Sequence, residues 1–166
     1  MVSRAERAWH ALEAVPDPEI PVVSIRELGI LREINDLDGE LEVVITPTYS
    51  GCPAMGQIED DVRAALAANG LRGTVVTRLA PAWTTDWITP PAREKLREFG
   101  IAPPHALQPA NLVRFARPAA DNEVDVTCPR CGSANTTETS HFSSTACKAL
   151  YKCLDCLEPF DYFKPY

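Results

Sequence analysis

The chain has 166 residues, 45% apolar and 23% charged, with 16 Lys and Arg against 23 Asp and Glu and a net charge of −7. These proportions fit one modest folded domain with a small attached module and exclude a disordered chain. No run of 18 apolar residues offers a membrane span, and no basic stripe interrupts the acid excess, so neither a bilayer nor nucleic acid is expected as a partner. The opening MVSRAERAWHALEAV has no apolar core and carries Glu6 early, which reads as a helix and not a signal peptide. A cytoplasmic, reducing location follows as the expectation, and there the six cysteines read as thiols or metal ligands.

Residues 3–14 suggest an amphipathic helix with Ala5, Ala8, Trp9 and Leu12 on one face, ended by Pro16, Pro18 and Pro21. Residues 28–35 and 40–46 read as a hairpin around NDLDGE. Leu41, Val43 and Ile45 alternate with Glu42, Val44 and Thr46, which predicts one buried face. After the loop TPTYSGCPAMG, a helix is expected from Pro53, with Met55, Ile58, Val62 and Leu66 down one side and Asn69-Gly70 at its end. Residues 72–79 read as a third strand, Pro91 to Phe99 as a helix, and Leu112 to Phe115 as a short apolar run. Helix, two strands, helix, strand predicts a two-layer α/β domain over residues 1–120, with a β module over 121–166.

The tail carries CPRC and CLDC, two short loops that can each turn a pair of sulfurs toward one centre. Cys128, Cys131, Cys153 and Cys156 suit a structural zinc, with Gly132 allowing the tight turn after the first pair. Four thiolates also suit a rubredoxin-like iron or an iron–sulfur cluster. The tail has four basic residues against seven acids. That weakens a nucleic-acid role, so Phe160, Tyr162, Phe163 and Tyr166 are expected to dock the module on the first domain or on a partner.

Two cysteines fall outside those pairs. Cys52 precedes a predicted helix N-terminus, where unpaired N–H groups favour a thiolate; a buried structural thiol is the alternative. Cys147 is followed by Lys148, a neighbour that would lower its pKa, and His141 is a further ligand or a plain loop residue. In DPEIPVVSI, Asp17 either binds metal or caps the backbone, while Glu19 reads as structural. His10, His105 and His141 are the only histidines, and Glu138 with His141 makes the single E-x-x-H where a diiron carboxylate site takes two, so no diiron oxygenase site is expected.

DPEIPVVSIRELGI followed by TPTYSGCPAM resembles the domain shared by iron–sulfur assembly factors. TRLAPAWTTDWITPPAREKLREFGIAPP, CPRCGS, FSSTACKALYKC and CLEPFDYF are similar to the D subunit of the bacterial phenylacetyl-CoA epoxidase system, and the resemblance covers nearly the whole chain. It implies an iron–sulfur assembly-like α/β fold with a C-terminal zinc ribbon. It implies a place in phenylacetate degradation through coenzyme A thioesters, as a non-catalytic accessory maturation factor. The oxygenase and reductase subunits would be its partners, with room for a homodimer. Cys52 would be the reactive cysteine and a transient ligand of iron or an iron–sulfur cluster. Asp17 would lie in the accompanying acidic motif, and Cys147 would assist or contact the client. The family is expected to favour glycine where this chain has Ser143. A structural docking subunit of the oxygenase and a thiol redox protein are the rival readings. The second is weakened because Cys52 and Cys147 form no C-x-x-C pair.

Overall fold

The structure, a computed structural model, describes residues 2–105 and 126–166. It divides into two compact units, Met1–Lys95 and Leu96–Tyr166. The boundary expected at residue 120 and the apolar run at Leu112 to Phe115 lie outside the described residues.

The first unit opens with α1 (Arg4–Leu12). Ser3 and Glu6 close a reciprocal capping box, with the Glu6 N–H donating to Ser3 Oγ at 3.1 Å and the Ser3 N–H to Glu6 Oε2 at 2.6 Å. These bonds, the one to the Ser3 N–H first, hold the Glu6 carboxyl below its ordinary pKa. β1 (Leu31–Leu37) and β2 (Glu40–Ile45) form the expected antiparallel hairpin. Its turn uses Asp38 and Gly39, both at positive φ (51° and 98°), as two-residue hairpins require. α2 (Met55–Ala68) then carries the chain to β3 (Gly73–Thr77), which pairs in parallel with β2. The sheet order is therefore β1-β2-β3, with β2 central.

That central place corrects the one-sided hairpin read from the sequence. Val44 and Thr46 are buried as well as Leu41, Val43 and Ile45. A strand paired on both edges and covered on both faces loses its alternation of exposure. On α2, Ile58, Val62 and Leu66 stand at i, i+4 and i+8 and are all buried, while Met55 is half-buried. α2 packs on β3, and α1 on α2 and β1, which gives the two layers. Gly29, at φ +74°, is required where it stands: a Cβ there would lie 2.5 Å from Trp87 Cβ.

α3 (Pro90–Phe99) runs from the first unit into the second. The second unit holds β4 (Ile101–Ala102), β5 (Thr136–Ser140), β6 (Lys148–Cys153) and β7 (Pro159–Phe163), in the order β4-β7-β6-β5. Its core joins Ala102, Val126, Cys128, Cys153, Phe160 and Tyr162, with Tyr151 packed against them. Phe160 and Tyr162 therefore serve the ribbon's own interior, which corrects the docking role expected of them. β7 is paired on both edges, and their alternate positions on it fill one face. No described helix is long and apolar enough to cross a membrane.

Candidate metal centre

The two C-x-x-C segments lie at one end of the ribbon. The first precedes β5; the second is the turn from β6 to β7, with Cys153 as the last residue of β6. Local bonding shapes both turns. The Gly132 N–H donates to the Cys128 carbonyl at 2.9 Å and the Cys128 N–H to the Ser133 carbonyl at 2.8 Å. In the second turn the Cys156 N–H points at Cys153 Sγ, 3.5 Å away. Asp155 joins the two turns, accepting from Ser133 Oγ and, at 2.7 Å, from the Asn135 side-chain amide. Those two donors, Ser133 first, hold its carboxyl below the ordinary range.

The four sulfurs all lie within 4.8 Å of one another. Cys128 Sγ is 3.8 Å from Cys156 Sγ, and Cys131 Sγ is 3.6 Å from Cys153 Sγ. A regular tetrahedron of sulfurs at a Zn–S distance of about 2.3 Å has edges of about 3.8 Å. The donor set thus fits a tetrahedral metal in number, chemistry and spacing. Cys128 and Cys153 are buried, Cys131 is exposed and Cys156 is half-buried against the ribbon core.

Crowding separates the thiols electrostatically. Cys153 is lowered to about 7, chiefly because the Cys156 N–H stabilises its thiolate. The Glu158 N–H favours the Cys156 thiolate too, but burial and the neighbouring sulfurs outweigh it and push that thiol up to about 12. Four such groups cannot all ionise side by side without a compensating cation. Metal binding supplies that cation and must release protons.

Cys147 is not part of this set. It immediately precedes β6, whereas Cys153 ends it. Six residues of strand put about 20 Å between them. Cys147 is buried, with Thr145 Oγ1 at 3.1 Å from its sulfur, and its carbonyl accepts from the Lys164 N–H at 3.0 Å. Lys148, the neighbour expected to lower its pKa, pairs its ammonium with Asp161 Oδ2 at 2.9 Å. Ser143, the position expected to be glycine, donates from Oγ to the same carboxylate. His141 is exposed, 3.4 Å from Glu138 and edge-on to Phe142, and lies outside the sulfur set.

Cys52 is half-buried in the turn before α2. Its N–H donates to the Tyr49 carbonyl at 3.2 Å, and its carbonyl accepts from the Met55 N–H at 3.4 Å. The helix begins at Met55, two residues later than Pro53, and its N-cap Ala54 supplies no side-chain cap. Asp17 is buried and organises the proline-rich loop. Its Oδ1 accepts from the Glu19 N–H at 2.9 Å and the Ile20 N–H at 2.8 Å, and its own N–H donates to the Val23 carbonyl. Glu19 is exposed. A cleft of about 580 Å³ opens beside this loop. Its charged lining is paired, Glu13 with Arg26 and Glu27 with Lys95. Burial pushes the Glu27 carboxyl up, but Lys95 and the Ser24 N–H outweigh it and hold it below its usual value.

Comparison with known proteins assigns the two parts separately. Residues 5–78 match the iron–sulfur cluster assembly protein family, and residues 115–164 match the PaaD zinc beta ribbon domain. A domain of unknown function from Bacillus anthracis is 30% identical with a TM-score of 0.51, over 55% of this chain and 90% of that one. An Fe-S protein maturation auxiliary factor of Porphyromonas gingivalis is 33% identical over 93 residues, 54% of this chain and 85% of the relative. The fold and the sulfur site thus define an iron–sulfur assembly domain joined to a zinc ribbon. The D subunit of the 1,2-phenylacetyl-CoA epoxidase of Escherichia coli is 48% identical over 162 residues, 94% of this chain and 90% of that protein. The chain belongs to the D-subunit family of phenylacetyl-CoA epoxidase.

Proposed function

We propose that this chain is an accessory maturation factor for a phenylacetyl-CoA epoxidase complex in phenylacetate degradation, and that it performs no epoxidation by itself. It would assist the building of an iron or iron–sulfur centre in the oxygenase or its reductase. The observation that carries the reading is the division of thiols. Four sulfurs form one tetrahedral set in the ribbon, while Cys52 is not among them and is half-buried in a turn of the assembly-like unit.

In this reading the resident metal at Cys128, Cys131, Cys153 and Cys156 is zinc, which holds the ribbon and does no chemistry. Iron or a cluster is cargo. Cys52 is its transient ligand, because a soft thiolate suits iron and sulfide and partial exposure permits release. Asp17 acts by fixing the loop in which it sits. Cys147, buried at the other end of the ribbon, serves by supporting the surface that meets the client.

The test is to co-produce the epoxidase proteins with the chain carrying Cys52→Ser and to count iron and labile sulfide per client. Lowered loading with unchanged ribbon zinc is expected. Full loading would reject the carrier role and leave a non-catalytic docking subunit as the better description.

A further inference from the structure

We propose that the second metal-holding turn presents Leu154 and Leu157 as a docking tip for a partner protein whose apolar pocket is rimmed by basic side chains. The inference rests on the maturation reading for its choice of partners, the proteins of the epoxidase complex.

The two metal-holding turns share a backbone feature but not a side chain. The residue after the second cysteine is left-handed in both: Gly132 at φ +77° and Leu157 at φ +66°. Glycine adopts that conformation without a Cβ penalty; leucine adopts it against one. Leu157 is 63% exposed, so little packing among the described residues offsets that cost. Leu154, on the same turn, is 47% exposed. The same fold thus uses glycine where no contact is needed and an exposed leucine where the turn projects.

The tip is also held rigidly. The Leu154 N–H donates to the Asn135 carbonyl at 2.8 Å, the Cys153 N–H to the Glu158 carbonyl at 3.0 Å, and Asp155 is fixed by Ser133 and Asn135. Leucines displayed on so fixed a turn lose little freedom on binding.

Charge selects the occupant. Between and just after the leucines the exposed ionic side chains are Asp155 and Glu158, both acidic, while Lys152 is exposed on β6 behind the turn. Arg130, on the facing turn, lies along Gly100, where an added Cβ would stand 2.7 Å from its guanidinium. A second copy would bring the same negative tip and be repelled, whereas a basic rim is complementary.

The experiment uses the whole zinc-loaded chain against the purified oxygenase and reductase proteins of the complex, with binding measured by calorimetry. Leu157→Gly should weaken binding by at least about tenfold, the scale of one buried leucine. It should keep its zinc and should not lower the thermal midpoint, since it relieves the backbone. Glu158→Gln should slow association and flatten its salt dependence. Unchanged binding by Leu157→Gly, where the parent chain binds, overturns the docking tip and leaves the maturation reading standing. Binding of the parent chain to neither protein overturns both. Loss of a homodimer in Leu157→Gly, seen by sedimentation, would make the occupant a second copy and overturn the proposal as well.

Discussion

The buried pair of Lys148 and Asp161 allows an asymmetric double-mutant test. The two are joined at 2.9 Å, but their surroundings differ: the Lys148 side chain is 6% exposed and that of Asp161 is 24%. Asp161 also accepts from Ser143, a bond that survives loss of the lysine. Asp161→Leu should strand a buried ammonium and cost about 3–5 kcal/mol. Lys148→Met leaves a carboxylate with one donor and access to water, and should cost about 1–3 kcal/mol. The double variant removes both charges and should cost far less than the sum of the two. Hydrogen exchange of the β6 and β7 amides, measured at saturating zinc, reads the stability of this unit directly. A Lys148→Met cost equal to or above that of Asp161→Leu, or additive single costs, would refute the reasoning.

Cys153→Ser should lose the ribbon metal, by elemental analysis of the purified chain, whereas Cys52→Ser should retain it. Gly73→Ala should cost about 1–3 kcal/mol in denaturant unfolding, because its Cβ would stand 2.5 Å from the Leu41 carbonyl oxygen in the central strand. Gly56→Ala, with nothing within 4 Å of the added carbon, should instead gain about 0.5–1 kcal/mol. Tyr151 is raised to about 12, by burial first and then by Glu138. Its contribution to stability is full below the ordinary phenol value and is lost as pH rises through about 12. Ultraviolet titration should find a phenol that ionises late in the intact protein and normally in the unfolded chain.

The local features of this fold were legible because each needs only a short stretch of chain. Ile58, Val62 and Leu66 mark the buried stripe of α2 by spacing alone, and Asp38-Gly39 marks the turn between β1 and β2. The spacing of the four ribbon cysteines, with a strand pair between them, led directly to the tetrahedral sulfur set. Ser3 and Glu6 carry the capping-box signature as well, a signal that the apolar periodicity of α1 overshadows. What the sequence hid was non-local. β4 is two residues long, too short for any periodicity, and exists because β7 offers it an edge. Val44 looks like the solvent side of a hairpin until β3 is placed beside β2. Lys148 shows its neighbour Cys147 in the sequence, but its ion-pair partner Asp161 comes from another strand. Phe160 and Tyr162 look like surface aromatics until Ala102, from an earlier part of the chain, joins them in one core.

The pairing of β4 with β7 also bears on the order in which this protein is made. Ile101 and Ala102 pair with Asp161 and Tyr162, about 60 residues later. At a synthesis rate of about 5–20 residues per second, β4 leaves the ribosome about 3–12 s before its partner strand. The three-stranded sheet of the first unit can close during that interval, since all its strands end by Thr77. The ribbon cannot: its edge strand waits for β7, and its fourth thiol emerges only at Cys156, just ahead of that strand. Translation therefore sets a schedule in which the assembly-like unit folds first, and metal capture and closure of the second sheet follow it together.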